Sequence, residues 1–581
     1  MRIMKFCKPY LMTQKARLSL FIILSLLGSA ISIVSPYVLG DFIDNLVDGA
    51  NEATIIRFCI LFGGISIFKI LKDYLTSMLF TKMQVKLGYR LNIDVIKHIQ
   101  SLSVSYSNKK DGAYLNQRIN GDCTSITSFC LTVLRDTIIN TALIVIPMII
   151  LYILNKLILA ILLSFILLYV VIYYLLKNRI YRTGMLFRES QAKYYASLFE
   201  QLKHMAQIKI NSVQPEYLDR ADGVFHEYND TAIKSQRINF IYTSFDGIVA
   251  TFAQIALFVV GGLLVIRGKF TIGLFTVFSS YFRVMLTSCR FFFSLAASYQ
   301  SVSVSYNRTM DILKSKPESN GSTKLPAIDT IELKNVKFSY ETYEQLQKED
   351  LKQNQQHNPV KPHPGSGDPA SILHSPDFVF SKGNLYTITG KNGSGKTTLT
   401  KLLIGLYIDE RNGEIYYNSL PMKELDMVYA RRELIGYAEQ NPLLVEDSIY
   451  YNLTYQPCPS EYADIQDWSG TREGDPLFNQ ILHYASILNM EAFLQEKQLS
   501  FRVNAQNNNL SGGERQKLAI LKVLLKNTDV MVFDEPTSAL DKETKDRFIQ
   551  FLSQLKQDKI IFVVTHDKDL ISSSDQIIDI H

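Results

Sequence analysis

Four stretches of the chain contain no charged residue: Leu18 to Gly40, Thr137 to Asn155, Leu157 to Leu176 and Gly247 to Ile266. Each is long enough to cross a hydrocarbon core of about 30 Å as a helix, which satisfies its own backbone without water. Two further segments are apolar but charged: Thr54 to Phe80 carries Arg57, Lys69, Lys72 and Asp73, and Phe270 to Ala297 carries Arg283 and Arg290. Such charges either face a bundle interior or water-filled path, or sit at the membrane edge on helices that run past it. Six spans are therefore expected. The mean hydropathy of +0.05 over 581 residues averages a membrane half and a polar half.

The loop charges give an orientation. Arg2, Lys5, Lys8, Lys15 and Arg17 precede the first span, Lys82, Lys86, Arg90 and Lys97 follow the second, and Lys177, Arg179, Arg182 and Arg188 follow the fourth. All fall on one side if the amino terminus is cytoplasmic. The loop with Asp41, Asp44, Asp48 and Glu52 is acidic and expected outside; Arg267 and Lys269 weaken this pattern without reversing it. The inner segments, about 81–130 and 177–245, read as polar helix formers with spaced apolar residues, so the spans should continue as helices below the membrane. No small-residue cleavage pattern follows the first span, which is read as a membrane span. The six cysteines form no CxxC pair, and free thiols are expected.

After about Ile331 the character changes. "NLYTITGKNGSGKTTLTKLLIGL" (384–406) gives a β-branched and aromatic run, then Gly390-x-x-x-x-Gly395-Lys396-Thr397, then an apolar helix. Gly390, Gly393 and Gly395 let backbone amides converge on phosphate oxygens at a helix start, where the dipole also favours negative charge. Lys396 would reach the β- and γ-phosphates, and the Thr397 hydroxyl a Mg²⁺ position. In "VMVFDE", Val530 to Phe533 read as a strand covered on both faces; Asp534 suits Mg²⁺ and Glu535 suits polarising a water. "IIFVVTHD" ends another apolar strand at His566, which suits the γ-phosphate or the water, although an isolated histidine is more often structural. In "NNNLSGGERQKLAILKVLL", Ser511, Gly512 and Gly513 make a second phosphate-binding helix start. One domain cannot easily wrap both around one nucleotide; two domains head to tail can.

With these motifs in place, the chain resembles a bacterial ABC exporter half-transporter over nearly its whole length. "GKNGSGKT" (390–397) is similar to the family's Walker A loop, "LSGGERQ" (510–516) to its signature, "VMVFDE" (530–535) to Walker B with the catalytic glutamate, and "SALD" (538–541) to the D-loop. His566 resembles the switch histidine, and Gln440 in "IGYAEQNPLL" the Q-loop glutamine. The segments 103–122 and 207–220 resemble turns that carry coupling helices. The resemblance implies ATP and Mg²⁺ as cofactors. It implies nucleotide contacts from Tyr340, Gly390, Asn392, Gly393, Ser394, Gly395, Lys396, Thr397 and Thr398, with Ser511, Gly512, Gly513 and Glu514 supplied by an opposed copy. It places Thr397, Gln440 and Asp534 at the metal, and Glu535, His566, Lys396 and Gln440 in catalysis. Tyr340, closing "IELKNVKFSY", would stack on adenine. Glu514 stands where glutamine is commonest.

The expected fold is thus a six-helix all-α membrane domain (1–314), a linker (315–330) and a cytoplasmic α/β P-loop ATPase domain of ABC type (331–581). The polar tract "KEDLKQNQQHNPVKPHPGSGD" begins after Tyr340, so it reads as a loop inserted in the ATPase domain at about 345–370. The expected function is ATP-driven export of an amphipathic peptide, lipid or drug-like molecule across the cell membrane, with both termini cytoplasmic. The expected partners are a second half-transporter, a homodimer being favoured, the cargo and membrane lipid. An importer-like or regulatory ABC membrane ATPase, or the catalytically complete half of a heterodimeric exporter, are the alternatives. Nucleic acid is not expected, because the +6 charge is largely that of the membrane flanks. Arg283 and Arg290, seven apart on roughly one helix face, would favour anionic or zwitterionic cargo if they line the cavity.

Overall fold

The computed structural model describes the chain except for residues 1, 50, 110–111, 339–372, 375–376, 410, 463–464, 466–467, 469–473, 505–508, 539 and 581. Tyr340 and the 345–370 insertion lie outside the described residues. Two compact units emerge, Met1–Ile99 with Asp111–Ser315, and Gln100–Lys110 with Lys316–His581.

The first unit is helical. Its elements include α1 (Arg2–Met12), α2 (Lys15–Val47), α3 (Glu52–Gln100), α4 (Val104–Lys109, which groups with the second unit), α5 (Gly112–Asn116), α6 (Cys123–Leu154), α7 (Lys156–Lys203), α8 (Met205–Asn211), α9 (Gln214–Ile266) and α10 (Ile272–Lys314). Helices α2, α3, α6, α7, α9 and α10 are long and apolar enough to cross a membrane. Helices α3, α7 and α9 run 49, 48 and 53 residues, about 75 Å at 1.5 Å per residue, more than twice a hydrocarbon core. The spans therefore do continue far beyond the membrane.

Local chemistry sets the outer turns. Asn155 caps α7 by accepting from the amides of Leu157 and Ile158, and Thr271 caps α10 through Leu274. Asp44 accepts from Thr271 and from the Gly273 amide, tying the end of α2 to the start of α10. A residue added at Gly273 would place its Cβ 2.0 Å from the Gly40 carbonyl, so these helices approach backbone to backbone. Helix α1, which hydropathy did not single out, buries Ile3, Cys7 and Leu11 at helical spacing.

The second unit is α/β. Strands β1 (Thr330–Phe338), β2 (Leu373–His374), β3 (Phe378–Ser381), β5 (Arg411–Tyr417) and β6 (Leu420–Pro421) form an antiparallel sheet. Strands β4 (Asn384–Gly390), β7 (Ile435–Ala438), β8 (Val530–Asp534), β9 (Ile560–Val564) and β10 (Gln576–Ile580) form a parallel sheet in the order β10-β4-β9-β8-β7. Every residue of β8 and β9 is buried. Val530 and Val532 enter one core with Leu399, Leu402 and Leu403, while Met531 and Phe533 enter another with Phe478, Leu518 and Phe548. Strand alternation thus fills both faces, as a parallel sheet requires. Within this unit, Val104 of α4 packs on the first of these cores, and the Ser101 carbonyl accepts from Glu318. Leu325 and Ile328 are buried in the same core.

Candidate functional site

Strand β4 ends at Gly390, and the loop through Gly395 leads into α11 (Lys396–Leu403). Gly390, Gly393 and Gly395 all have positive φ, at 144°, 84° and 97°. At Gly390 a Cβ would also come within 2.3 Å of the Ile580 carbonyl on the neighbouring strand β10. Glycine is therefore required there by both backbone and neighbour. Gly395 begins α11 with no side-chain cap, and a helix start of this kind suits an anionic ligand.

The parallel strand order brings β8 two positions from β4, and with it the acidic pair. Thr397 donates to Asp534 Oδ2 over 3.1 Å. Gln440, just beyond β7, donates to Glu535 Oε2 over 2.7 Å. Lys396 folds back on the loop, donating to the carbonyls of Gly390 (2.8 Å) and Lys391 (3.0 Å). Glu535 has φ 49°, in the left-handed region, and its amide donates to Val564 on β9. This bend turns its carboxylate away from the continuing strand direction.

A cavity of about 570 Å³ results, lined by Phe338, Asn392, Gly393, Ser394, Gly395, Lys396, Thr397, Thr398, Gln440, Asp534, Glu535, Val564 and His566. Burial raises the Asp534 pKa above the usual carboxylate value; the Thr397 hydrogen bond opposes this, and neighbouring Glu535 adds to it. Burial likewise raises Tyr437, with Asp534 contributing. The buried Ser394 hydroxyl oxygen makes no hydrogen bond among the described residues. A helix start without a side-chain cap, an unpaired hydroxyl and a lysine fit a polyphosphate, and the buried Asp534 carboxylate fits a cation that accompanies it. The oxygen donors of Thr397, Asp534 and Gln440 are of the kind a hard cation such as Mg²⁺ takes.

Ser511, Gly512, Gly513 and Glu514 do not line this cavity. They begin α12 (Gly512–Lys526), where Ser511 and Glu514 cap each other: the Glu514 amide donates to Ser511 Oγ (3.2 Å) and the Ser511 amide to Glu514 Oε2 (2.6 Å). This helix is nevertheless tied to the cavity. Gln516 donates to the Glu535 carbonyl (2.6 Å) and to Ser538 (3.1 Å). At its other end Lys526 donates to the carbonyls of Arg431 and Ile435, both at 2.6 Å, and burial lowers its pKa to about 8. Sequence reading missed Gln516 and Lys526 as links to the cavity, and Phe338 and Val564 as cavity walls. Phe338 carried a signal, as the last buried position in the alternation of β1; Gln516 carried none beyond its place in the motif.

Residues 18–289 match the ABC transporter transmembrane region family, and residues 373–538 the ABC transporter family. The chain is 24% identical over 575 residues to the leukotoxin translocation ATP-binding protein LktB of Mannheimia glucosida, covering 96% of this chain and 73% of that protein. It is 23% identical over 570 residues to ABC transporter B family member 1 of Dictyostelium discoideum, covering 95% of this chain and 57% of that one. A bacterial Atm1-family ABC exporter with ATP bound shares the fold at 17% identity, with a TM-score of 0.76 over 98% of this chain and 93% of the other. Six membrane-length helices joined to a P-loop ATPase, each half matched by its own family, place the chain among the ABC transporters, as a multi-pass membrane protein with an exporter-type fold that couples ATP hydrolysis to transport.

Proposed function

We propose that two copies of this chain close head to tail on two ATP molecules and drive an amphipathic molecule out of the cytoplasm. The observation that carries this reading is the separation within one ATPase unit. The glycine loop, Lys396, Thr397, Asp534, Glu535, Gln440 and His566 share one cavity, while the Ser511 helix start lies outside it. A second copy would bring its own Ser511, Gly512, Gly513 and Glu514 to the open side.

In this reading Gly390, Asn392, Gly393, Ser394, Gly395 and Thr398 hold phosphate oxygens through the loop and the α11 start. Lys396 leaves the loop carbonyls for the β- and γ-phosphates. Thr397, Asp534 and Gln440 would hold Mg²⁺, which would supply positive charge to offset that of the phosphates. Glu535 accepts the proton of the attacking water, and His566 holds the water or the γ-phosphate. Gln440 occupies one Glu535 oxygen in the open chain, so closure must exchange that bond before the carboxylate can act. Tyr340 is assigned to the adenine. Gln516 and Lys526 make α12, β7 and Glu535 move together, so closure on one nucleotide is felt at the Q-loop. The short helix α4, whose Val104 packs on a core of the ATPase unit, is assigned the role of a coupling helix.

The composite-site reading is tested with two tagged variants, Lys396→Ala and Ser511→Arg. Each homodimer should be inactive, while the mixed dimer keeps one intact site and measurable ATPase. An inactive mixed dimer would sink the head-to-tail arrangement. Export is tested by ATP-dependent accumulation of members of a chemically varied pool inside inverted vesicles, with Glu535→Gln as control. The LktB relatives are, by name, leukotoxin translocation proteins; a peptide arm in that pool tests whether this chain shares such cargo.

A further inference from the structure

We propose that Arg283 recognises an anionic group on the transported molecule, halfway through the membrane. This rests on the dimeric transporter reading above and names the cargo class for it.

Helix α10 has two unlike faces. Phe278, Tyr281, Phe282 and Met285 are buried in the core of the membrane unit. Away from them, Thr276, Ser280, Arg283, Thr287, Arg290 and Ser294 recur at steps of three or four residues, and Arg283, Thr287 and Ser294 are exposed. A polar face along a membrane helix, left uncovered by its own chain, belongs on a water-filled path rather than against lipid. The threonine hydroxyls turn back on the helix, Thr276 to the Ile272 carbonyl and Thr287 to the Arg283 carbonyl. The guanidinium is therefore the strong recognition group at this level.

Depth decides what it can pair with. Arg283 lies 11 residues into α10, about 16 Å from the outer end at 1.5 Å per residue, or half of a core of about 30 Å. The headgroups at either surface are beyond its reach in place. Four of the six spans contain no charged residue, and α10 has no acidic residue before Asp311. The other acids on these helices lie at other depths: Asp73 is 21 residues into α3 and pairs with Lys72, Asp136 is 18 residues before the outer end of α6 and pairs with Arg135, Asp246 is 20 residues before the outer end of α9, and Asp41 and Asp44 lie at the outer end of α2. A second copy adds a second Arg283 and again no carboxylate at that depth. Among the described residues no ion pair involves Arg283. A guanidinium stays charged in any protein setting, so its counter-anion must enter the path. A carboxylate or phosphate, able to accept two parallel hydrogen bonds, is the matching chemistry, on a molecule whose remainder is apolar enough to enter between membrane helices.

The test uses full-length protein in phosphatidylcholine nanodiscs and two radiolabelled probes of equal chain length, N-lauroylglycine and N-lauroylglycinamide. The carboxylate should bind about tenfold tighter, the equivalent of one charge-assisted hydrogen bond. Arg283→Gln should erase that preference and Arg283→Lys should keep most of it. Equal binding by the parent protein, binding of neither probe, or a preference that survives Arg283→Gln would overturn the proposal. Adding phosphatidylglycerol separates the sources: competition assigns the anionic group to a lipid headgroup, and no competition assigns it to a solute. ATP hydrolysis in the same discs checks the other reading. If hydrolysis is absent or indifferent to Glu535→Gln, the transporter assignment fails whatever the probes do.

Discussion

Two glycine-bearing helix starts sit in the same ATPase unit and are built differently. Helix α11 begins at Gly395, in the left-handed region and without a side-chain cap. Helix α12 begins at Ser511 with both partners of a capping box made, Glu514 supplying the carboxylate. The first start has no side-chain cap of its own, which suits an anionic ligand. The second is complete without one and already carries a negative charge in its first turn. A ligand phosphate therefore gains most at α11, while α12 is a preformed surface that must displace or tolerate its own carboxylate. One start suits binding, and the other suits sensing that a second body has arrived.

The largest effect should come from separating binding from chemistry at α11. Glu535→Gln should lower phosphate release by roughly two orders of magnitude or more, with nucleotide binding by filter assay retained. Loss of binding in that variant would mean that Glu535 also builds the cradle. Gly390→Ala attacks the cradle itself, because its Cβ has no room beside the Ile580 carbonyl. It should cost about 1–3 kcal/mol in a denaturant melt and abolish nucleotide binding with it.

At α12 the effects should be smaller. Ser511→Ala removes a cap and should cost about 1 kcal/mol in the same melt; no change would mean that the capping box is not a stabilising feature in solution. Glu514→Gln preserves a capping box but removes the charge. The half-saturating ATP concentration for hydrolysis should fall a few-fold, in line with a first-turn charge effect of about 0.3–1 kcal/mol. An increase would show that the carboxylate aids nucleotide capture.

The smallest effect is a pH dependence at Asp534, whose carboxyl is raised by burial. A raised carboxyl binds its proton more tightly in the folded than in the unfolded chain. That contribution is fully present at low pH and is lost as pH rises through the folded value. In nucleotide-free protein, Asp534→Asn should therefore melt slightly higher than the parent at neutral pH. The gap should close as pH falls below the ordinary carboxylate range. A gap that widens at low pH would mean that Thr397, not burial, dominates the site.

Much of this was legible in the sequence because its causes are local. Absence of charge over some 20 residues, the glycines of a strand–loop–helix, and apolar runs such as Val530–Phe533 each constrain the backbone where they occur. Phe338 escaped notice because a buried strand residue looks the same whether it faces a core or a cavity. Tyr340 and the 345–370 insertion stay as sequence expectations, lying outside the described residues.

The sequence by itself determined six membrane helices, the side their basic flanks take, and a phosphate loop followed by an acidic strand end. Only the tertiary structure decided that Thr397 meets Asp534 across 137 positions and Gln440 meets Glu535 across 95. It alone also decided which face of α10 the membrane unit leaves uncovered. The reason is physical: hydropathy and backbone conformation act within a few residues. Convergence at the site depends on the strand order β10-β4-β9-β8-β7, which long-range packing sets and no spacing along the chain encodes.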